Sequence, residues 1–304
     1  MVTFQKFDIN NYSNALIVTD KNLAGLYGFV GDNVFALPAG ERAKTFYYAQ
    51  KLSSWFLDKG LQKDGLIVAV GGGSVGDAVG FAASIYKRGV QLLHVPTTLL
   101  AQVDSSIGGK TALNLGSVKN AVGTFYNADT LIDFTFLNTL PKSQWRNGHG
   151  EVLKYRMLSN AIDNCYKEGN VGDTIKACAE YKQQICLRDP LDNDERKLLN
   201  FGHTIGHAME LTYRMSHGAA VCNGLYYETI LAQKLGLCSD SYAEKWTNEA
   251  TRLFQIRPLT REMLQLTIHD KKNAGGQICC VLPCGDSFVL RNFTLQQMQD
   301  LLIK

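Results

Sequence analysis

The chain has 304 residues, of which 45% are hydrophobic and 19% charged, with 31 basic and 28 acidic side chains. This composition excludes a disordered or fibrous protein, and a formal net charge of +3 is too balanced for binding nucleic acid mainly through overall charge. At roughly 100–200 residues per domain, the length favours two domains.

Cysteine usage and hydropathy indicate the cellular compartment. The eight cysteines are scattered without a C-x-x-C pair, which favours neither a zinc knuckle nor a disulfide-stapled secreted scaffold. Residues 1–10 contain no apolar run suited to a signal peptide. Residues 65–84 approach membrane-spanning length, but their six glycines and Asp77 indicate a buried segment with a turn. We predict a cytoplasmic protein that binds neither membranes nor nucleic acid.

The first half of the chain alternates short apolar runs with helical patterns. In chain order we predict a strand, a helix, a strand, a helix and two more strands, at 15–19, 41–58, 66–70, 75–87, 91–95 and 130–133. Continuous apolar runs of this length are typical of parallel strands that helices cover on both faces. The pattern predicts a doubly wound α/β nucleotide-binding domain at residues 1–142.

The second half has a different pattern. After Leu140 and Pro141, long segments at helical spacing extend from about 151 to 268. A late hairpin is predicted from 279–282 and 288–290, followed by a terminal helix at 294–303. We interpret residues 143–304 as a second, mostly α-helical domain.

A glycine-rich turn, GGGSVGD at 71–77, directly follows the strand at 66–70. It fits G-x-G-x-x-G between a strand and a helix, where bare backbone lets amides approach a diphosphate. The acidic residue expected about 20 residues later, which would bind a ribose, is missing, and Asp20 is the candidate that replaces it. The alternative is a tight turn without a ligand.

Three of the six histidines lie in the segment LLNFGHTIGHAMELTYRMSHG. His203 and His207 are four residues apart and share one helix face, so they either bind one cation together or supply one ligand and one acid or base. His217 follows after a short loop, and Glu151 or Glu210 offers a carboxylate. Two imidazoles, one carboxylate and an open position are typical of a catalytic zinc site, the alternative being an ordinary helical pair.

Several cations lie beside glycine turns or on polar helix faces, namely Arg88, Lys110, Lys119, Lys154, Lys182 and Arg196. Each alone is most often a solvated surface residue. The segments SSIGGKT and VKNAVGTF are predicted to be loops of small residues, in which a lysine can close on a ligand oxygen. Several such cations in one pocket would suit a substrate that carries both phosphate and carboxylate.

Six sequence blocks together resemble the 3-dehydroquinate synthase family of sugar-phosphate cyclases. They occur in family order as GGGSVGDAVGFAASIYKRG, HVPTTLLAQVDSSIGGKTALN, VKNAVGTFYNADTLID, GEVLKY, LLNFGHTIGHAME and SHGAAVCNG. The resemblance extends from Asp20 to about Lys272. The polyol dehydrogenases share the distant fold and a similar glycine turn, but not the lysine segments or GEVLKY.

The resemblance implies NAD in the first domain and one divalent metal, zinc or cobalt, in the second. It places NAD contacts at Asp20, Glu41, Lys44, Gly72, Gly73, Asp77, Thr97, Thr98, Asp104 and Lys119. It implies Glu151, His203 and His217 as metal ligands and His207 as a substrate and proton-relay residue. It implies substrate contacts at Arg88, Lys110, Asn120, Lys154, Lys182, Arg196 and Asn200, and at Lys271 or Lys272.

The implied reaction converts 3-deoxy-D-arabino-heptulosonate 7-phosphate into 3-dehydroquinate and phosphate, a step of the shikimate pathway toward chorismate and the aromatic amino acids. Transient oxidation by NAD, β-elimination of phosphate, reduction and aldol closure make the enzyme a carbon–oxygen lyase without net redox change. In this family Arg88 is offered across a dimer interface, which implies a homodimer. The alternatives are another sugar-phosphate cyclase, a metal-dependent polyol dehydrogenase, and a degenerate NAD-binding protein without activity.

Two departures from the family pattern affect these expectations. The stretch between Lys154 and Lys182 is contracted, which puts the stability or closure of the second domain in question. The acidic segment before Arg196 differs from the usual pattern, so the loop that carries this arginine is expected to lie differently.

Overall fold

The computed structural model describes residues 1–116, 118–267 and 277–303. The chain forms two compact units, one comprising Met1–Gln144 with Ala179–Leu191 and the other Trp145–Cys178 with Asp192–Lys304. The units are therefore not continuous in sequence, unlike the two domains that the sequence pattern suggested. Within the described residues, every helix is too short or too polar to cross a lipid bilayer.

The first unit contains a parallel sheet. Its strands, in the order β1-β8-β5-β4-β2-β3, are β1 Val2–Phe4, β2 Leu16–Asp20, β3 Val34–Leu37, β4 Leu66–Gly71, β5 Gln91–Pro96 and β8 Asp129–Ile132. Its helices are α1 Lys21–Tyr27, α2 Phe46–Asp58 and α3 Gly73–Ile85. The central strands are buried because helices cover the sheet, with Val18, Ile67 and Val68 fully enclosed. The predicted α/β fold is confirmed.

Two details of the first half differ from the prediction. The segment Gly40–Ala43 is a 3-10 turn, and α2 begins only at Phe46, because the Thr45 hydroxyl caps the helix by accepting the N–H of Tyr48 at 3.4 Å. The short strands β1, of three residues, and β3, of four residues, were not predicted.

The prediction that the lysines lie in loops is wrong, although residues 106–109 of SSIGGKT do form a turn. Lys110–Leu115 is strand β6 and Val118–Phe125 is strand β7, and the two pair as an antiparallel hairpin. The small residues serve packing rather than flexibility. A Cβ at Gly80 of α3 would lie 2.7 Å from the methyl group of Thr111 in β6. The lysines therefore project from a strand pair that packs on a helix.

The second unit is mainly helical, as predicted. The helices that follow the sheet are α4 Lys142–Leu158, α5 Asn160–Lys167, α6 Val171–Arg188, α7 His203–Tyr213, α8 His217–Lys234, α9 Asp240–Leu253, α10 Arg261–Thr267 and α11 Leu295–Leu302. The predicted hairpin is formed by β9 Ile278–Cys284 and β10 Ser287–Phe293. Helix α11 begins at a capping box of Thr294 and Gln297. Lys271 and Lys272 lie outside the described residues.

A buried ion cluster anchors α5 in the contracted segment. Asp163 is 2% exposed and lies 3.0 Å from Arg156, 2.8 Å from Lys167 and 2.9 Å from Lys245. Burial acts to raise the pKa of Asp163, but the three cations outweigh it and lower the pKa to about 2. The shortened region is therefore held by charge pairs as well as by apolar packing.

Candidate active site

Three helices of the second unit bring together one carboxylate and two imidazoles. Glu151 lies on α4, His203 is the first residue of α7, and His217 is the first residue of α8. The Nε2 atoms of His203 and His217 lie 3.2 Å and 2.9 Å from the same Glu151 oxygen, Oε1. One donor atom from each residue falls within 4.8 Å of the others.

Glycines allow these three helices to approach closely. A Cβ at Gly218 would overlap the backbone carbonyl of Asn147 on α4, and one at Gly150 would overlap the backbone of Gly218. The Gly218 N–H donates to the Asn147 side chain at 2.7 Å. Between α7 and α8, a Cβ at Gly206 would lie 2.8 Å from the Ala220 carbonyl oxygen. The helix backbones therefore pack directly on one another where Glu151, His203 and His217 come together.

The second nitrogen of each imidazole is held by its own partner. Nδ1 of His203 lies 3.1 Å from the Phe201 carbonyl oxygen, and Nδ1 of His217 lies 3.3 Å from Oε2 of Glu210. With a proton held on each Nδ1, Nε2 is the nitrogen that faces Glu151 and can bind a metal ion once it has lost its own proton. Of the two carboxylates left open by the sequence, Glu151 thus faces the cluster and Glu210 orients a histidine from behind.

The electrostatics of the cluster favour a cation at its centre. Burial acts to lower the pKa of His217, but its bonds to Glu151 and Glu210 raise that pKa to about 9. Burial likewise acts to raise the pKa of Glu151, but Lys154, 2.6 Å from Oε2, and His203 hold it well below its usual range. A divalent cation bound to Nε2 would place positive charge beside the Glu151 carboxylate, as a proton on Nε2 does. The donor set therefore fits a catalytic zinc or cobalt ion.

His207 lies beside this cluster without joining it. Its ring centroid is 5.4 Å from that of His203 and 6.5 Å from that of His217, one helical turn along α7. Its position one turn from the donor set, outside the cluster, suits an acid, a base or a hydrogen-bond partner of a bound molecule better than a fourth ligand.

In the first unit, the glycine turn lies at the carboxyl end of β4 and opens α3. A Cβ at Gly72 would lie 3.0 Å from the Thr98 methyl group, and one at Gly73 would lie 2.9 Å from the Ser105 hydroxyl. His94, Ser105 and the turn line a small cavity at this end of the sheet. The location is where parallel α/β sheets bind nucleotides.

Several of the predicted cofactor residues converge beside this turn. Lys44 donates to Asp77 at 2.6 Å and to the side-chain oxygen of Asn120. Glu41 accepts from Ser74 at 3.3 Å and from Asn114 at 2.8 Å. Burial raises the pKa of Asp77, and the Lys44 ammonium opposes that rise.

Two further predicted cofactor positions stabilise local turns. Asp20 caps α1, its Oδ1 accepting the N–H groups of Asn22 at 2.8 Å and Leu23 at 3.1 Å. The Thr98 hydroxyl accepts the Ala101 N–H at 3.2 Å. The buried Thr97 donates its N–H to the Gly71 carbonyl at 3.1 Å, which ties the end of β5 to the turn.

The predicted substrate cations lie in different settings. Lys182, on the part of α6 that belongs to the first unit, pairs with the Asp104 carboxylate at 2.9 Å and its carbonyl at 2.7 Å. Lys110 and Lys119 are exposed on the β6–β7 hairpin. In the second unit, Arg196 is 2% exposed within the 3-10 turn Glu195–Asn200, which ends at the predicted contact Asn200.

Sequence reasoning missed four residues that hold these groups in place. Asn147 and Glu228 carry no motif signal, whereas Ser74 and Asn114 lie within quoted sequence blocks but received no predicted role. Glu228 is fully buried on α8 and accepts the Gly202 N–H at 2.7 Å, directly before His203. Only the helix packing shows that Glu228 and Asn147 face the ligand-bearing termini.

Gly218→Ala is expected to disrupt the donor cluster. The new methyl group must push α8 away from α4, which separates His217 from Glu151. We expect a loss of metal affinity of tenfold or more and a loss of about 1–3 kcal/mol in unfolding free energy. Gly25→Ala on α1 is the matched control, because nothing lies within 4 Å of its Cβ position. Wild-type metal affinity in Gly218→Ala, measured by titration of the metal-stripped protein, would contradict this account of the packing.

His94 is expected to make the fold sensitive to acid. It is 6% exposed on β5, and burial lowers its pKa to about 4. Below about pH 6.5, the usual pKa of histidine, His94 binds a proton in the unfolded chain but not in the folded chain. The folded state is therefore fully stable above that pH and loses stability as the pH falls toward about 4. From pH 7 to about pH 4.5, wild type should lose about 2–3 kcal/mol more than His94→Gln. Equal losses in chemical unfolding of both proteins would refute this role.

A parallel sheet with a glycine turn and a helical unit with a Glu-His-His cluster define a nucleotide- and metal-dependent enzyme. The solved 2-epi-5-epi-valiolone synthase of Streptomyces hygroscopicus subsp. jinggangensis, with bound NAD+ and Zn2+, matches 100% of this chain and 95% of its own, with 26% identity and a TM-score of 0.87.

The family models "3-dehydroquinate synthase N-terminal" and "3-dehydroquinate synthase C-terminal" match residues 34–147 and 148–273. The 3-dehydroquinate synthases of Dictyoglomus thermophilum and Caldanaerobacter subterraneus are 36% and 39% identical over 296 and 305 residues. These alignments cover 90% of this chain and 83% and 85% of theirs. The chain belongs to the 3-dehydroquinate synthase family.

Proposed function

We propose that this protein is a 3-dehydroquinate synthase, which converts 3-deoxy-D-arabino-heptulosonate 7-phosphate into 3-dehydroquinate and phosphate. The observation that carries the proposal is the Glu151, His203 and His217 donor cluster, in a chain whose two halves both match the family. The polyol dehydrogenase alternative does not account for that match, and the intact donor cluster argues against an inactive protein.

We assign NAD to the first unit and a zinc or cobalt ion to Glu151, His203 and His217 in the second. When bound, NAD accepts and returns a hydride, and the metal supplies Lewis acidity toward the substrate alcohol. The similar valiolone synthase, which carries NAD+ and Zn2+, supports this assignment. The residues proposed to hold NAD are Asp20, Glu41, Lys44, Gly72, Gly73, Asp77, Thr97, Thr98, Asp104 and Lys119.

Two lysines and one asparagine are proposed to stabilise the charge of the departing phosphate. Lys110, Asn120 and Lys154 donate to oxygens on which charge develops as the carbon–oxygen bond breaks. The departing group's own oxygen takes the neighbouring proton, so no strong side-chain base is needed. His207 accepts the hydroxyl proton when the alcohol is oxidised to a ketone and returns a proton when that ketone is reduced.

A second group of residues is proposed to orient the substrate for ring closure. Lys182, Arg196 and Asn200 hold the carboxylate end, and Lys271 or Lys272, outside the described residues, adds one more contact. Aldol closure within one molecule needs mainly orientation, which a substrate clamped at both ends provides. This carboxylate-binding group also separates the proposed function from cyclases that act on neutral-ended sugar phosphates.

The proposal is tested by phosphate release from the heptulosonate phosphate, followed together with absorbance of NADH. We expect stoichiometric phosphate and dehydroquinate without accumulation of NADH, and loss of activity on treatment with a chelator. A matched sugar phosphate that lacks the carboxylate should react at least a hundredfold more slowly. Preferred use of that substrate would indicate another sugar-phosphate cyclase, and steady NADH production from a polyol would indicate a dehydrogenase.

We further propose a cytoplasmic homodimer in which Arg88 acts on the partner's substrate. All eight cysteines are thiols, which agrees with a reducing compartment. Mixing Arg88→Met and His207→Ala subunits tests the arrangement, because each hybrid dimer then has one site with both native residues. We expect about a quarter of wild-type activity from random pairing. Activity no higher than that of the two parents would show that Arg88 serves its own subunit.

A further inference from the structure

Lys63 makes an unusual set of contacts in the loop between α2 and β4. Its ammonium donates to three consecutive backbone carbonyls, those of Lys87 at 3.1 Å, Arg88 at 2.8 Å and Gly89. An ammonium has three N–H donors. All three therefore serve one short segment of backbone between α3 and β5.

Side chains of the segment 86–89 in turn form hydrogen bonds with the residues just before Lys63. Lys87 donates its own ammonium to the Leu61 carbonyl at 2.7 Å and to the Gln62 side chain at 3.4 Å. The Tyr86 hydroxyl donates to the same Leu61 carbonyl at 3.3 Å. Residues 61–63 and 86–89 thus form a reciprocal clasp, a name used below for these seven residues.

The clasped backbone has a costly conformation. Lys87 and Arg88 have φ angles of 47° and 60°, and Gly89 follows with φ of 103°. Two successive side-chain-bearing residues rarely adopt the left-handed region, because the Cβ approaches the following carbonyl. In this conformation the three carbonyls converge on one cation, so Lys63 compensates the strain directly.

The residue displayed by this strained segment is Arg88. Its side chain is exposed, and its guanidinium forms neither an ion pair nor a hydrogen bond with any residue in the described parts of the chain. Strain that presents an unpaired guanidinium is characteristic of a binding function rather than of a folding requirement. The backbone of Arg88 is held by Lys63 while its charge stays available.

We propose that Lys63 is a positioning residue, which fixes Arg88 in the orientation needed to bind the anionic substrate. The inference rests on the proposed function, because it takes Arg88 as a substrate contact. Lys63 itself touches neither substrate nor cofactor in this account. Its effect is transmitted through the backbone of residues 87–89.

Steady-state kinetics with the heptulosonate phosphate tests the positioning role. Lys63→Met is expected to raise KM about fivefold with kcat within about twofold of wild type, because a misplaced guanidinium weakens binding without altering the chemical step. Lys63→Arg should recover part of the loss, since it keeps a cationic donor. Lys59→Met, at an exposed lysine two residues before the clasp, is the control and should leave both constants unchanged.

The double variant separates positioning from a general structural role. If Lys63 acts through Arg88, then Lys63→Met adds at most about twofold to the KM of Arg88→Met. An undiminished fivefold increase in the double variant, or an unchanged KM in Lys63→Met alone, would overturn the proposal.

Hydrogen exchange tests the clasp independently of catalysis. The N–H groups of Gly89 and Val90 donate to Tyr86 at 2.8 Å and to Ala83 at 3.2 Å. Their exchange should accelerate on the order of tenfold in Lys63→Met and not in Lys59→Met. Unchanged exchange would overturn the proposal whatever the activity. A wild-type protein that releases no phosphate would contradict the proposed function, and faster exchange in the variant would still confirm the clasp.

Discussion

Alanine at His203 or at His217 is expected to abolish metal binding, whereas His207→Ala is expected to retain the metal and lose most of its turnover. The nitrogens of His203 and His217 face the same Glu151 oxygen, and each imidazole is oriented from behind by a separate acceptor. His207 lies one turn along α7, outside the donor set. The three substitutions thus remove chemically identical groups with different consequences.

The expected magnitudes follow from these roles. Losing one of three ligands should reduce bound metal below about a tenth of an equivalent and kcat by a factor of about 1,000 or more. Losing a proton-transfer residue should lower kcat by about 100- to 10,000-fold while the metal content stays near one equivalent. Elemental analysis of the purified variants, combined with phosphate release, checks both. Equal metal loss in all three variants would overturn the distinction between ligand and relay.

Lys154→Met is expected to have the second largest effect. The Lys154 ammonium is 1% exposed and lies 2.6 Å from the fully buried Glu151 carboxylate. Removing this cation takes away the charge partner of Oε2 and leaves Glu151 only the imidazoles at Oε1, at a cost of up to about 3–5 kcal/mol for a buried pair in the metal-free protein. The catalytic loss should be about 100- to 1,000-fold in kcat, since a donor to the developing phosphate charge is also removed.

Metal binding should reveal the origin of the instability in Lys154→Met. A divalent cation at Glu151 supplies the missing positive charge, so chelator should destabilise this variant much more than it destabilises wild type. Lys142→Met, on the exposed first turn of the same helix, is the matched control and should behave as wild type. Thermal unfolding with and without chelator provides the measurement. Equal effects of chelator on both proteins would contradict the proposed charge balance.

The parallel sheet and the histidine pair could be predicted because their signals are local. The run at 66–70 followed by three glycines predicts a buried strand, a tight turn and a helix, and β4 and α3 have that arrangement. The four-residue spacing of His203 and His207 predicts a shared helix face, which α7 confirms. Periodicity carries this information without reference to the rest of the chain.

The choice between Glu151 and Glu210 could not be predicted from spacing. It depends on which helix approaches the first turns of α7 and α8, and that is decided by backbone contacts at Gly150 and Gly218. The lysine loops were predicted wrongly for a related reason. Glycine, serine and threonine are typical of loops, but at Thr111 and Gly123 they allow a hairpin to pack closely.

Nothing in the sequence pattern indicates a role for Lys63. Its contacts depend on three successive positive φ angles at residues 87–89, and two of those residues have side chains that disfavour such angles. Long-range contacts between a side chain and the backbone leave no periodic pattern in a sequence. Such residues become visible only once the backbone path is known.

The most direct test of the central claim, that the hydride leaves and returns within one turnover, is a label at the oxidised carbon. The heptulosonate phosphate carrying deuterium at C5 is converted by the purified enzyme in the presence of excess unlabelled NADH, and the product is examined by mass spectrometry. The account predicts that 3-dehydroquinate retains the deuterium at the carbon derived from C5. Loss of the label from the product, or its appearance in bulk NADH, would contradict it.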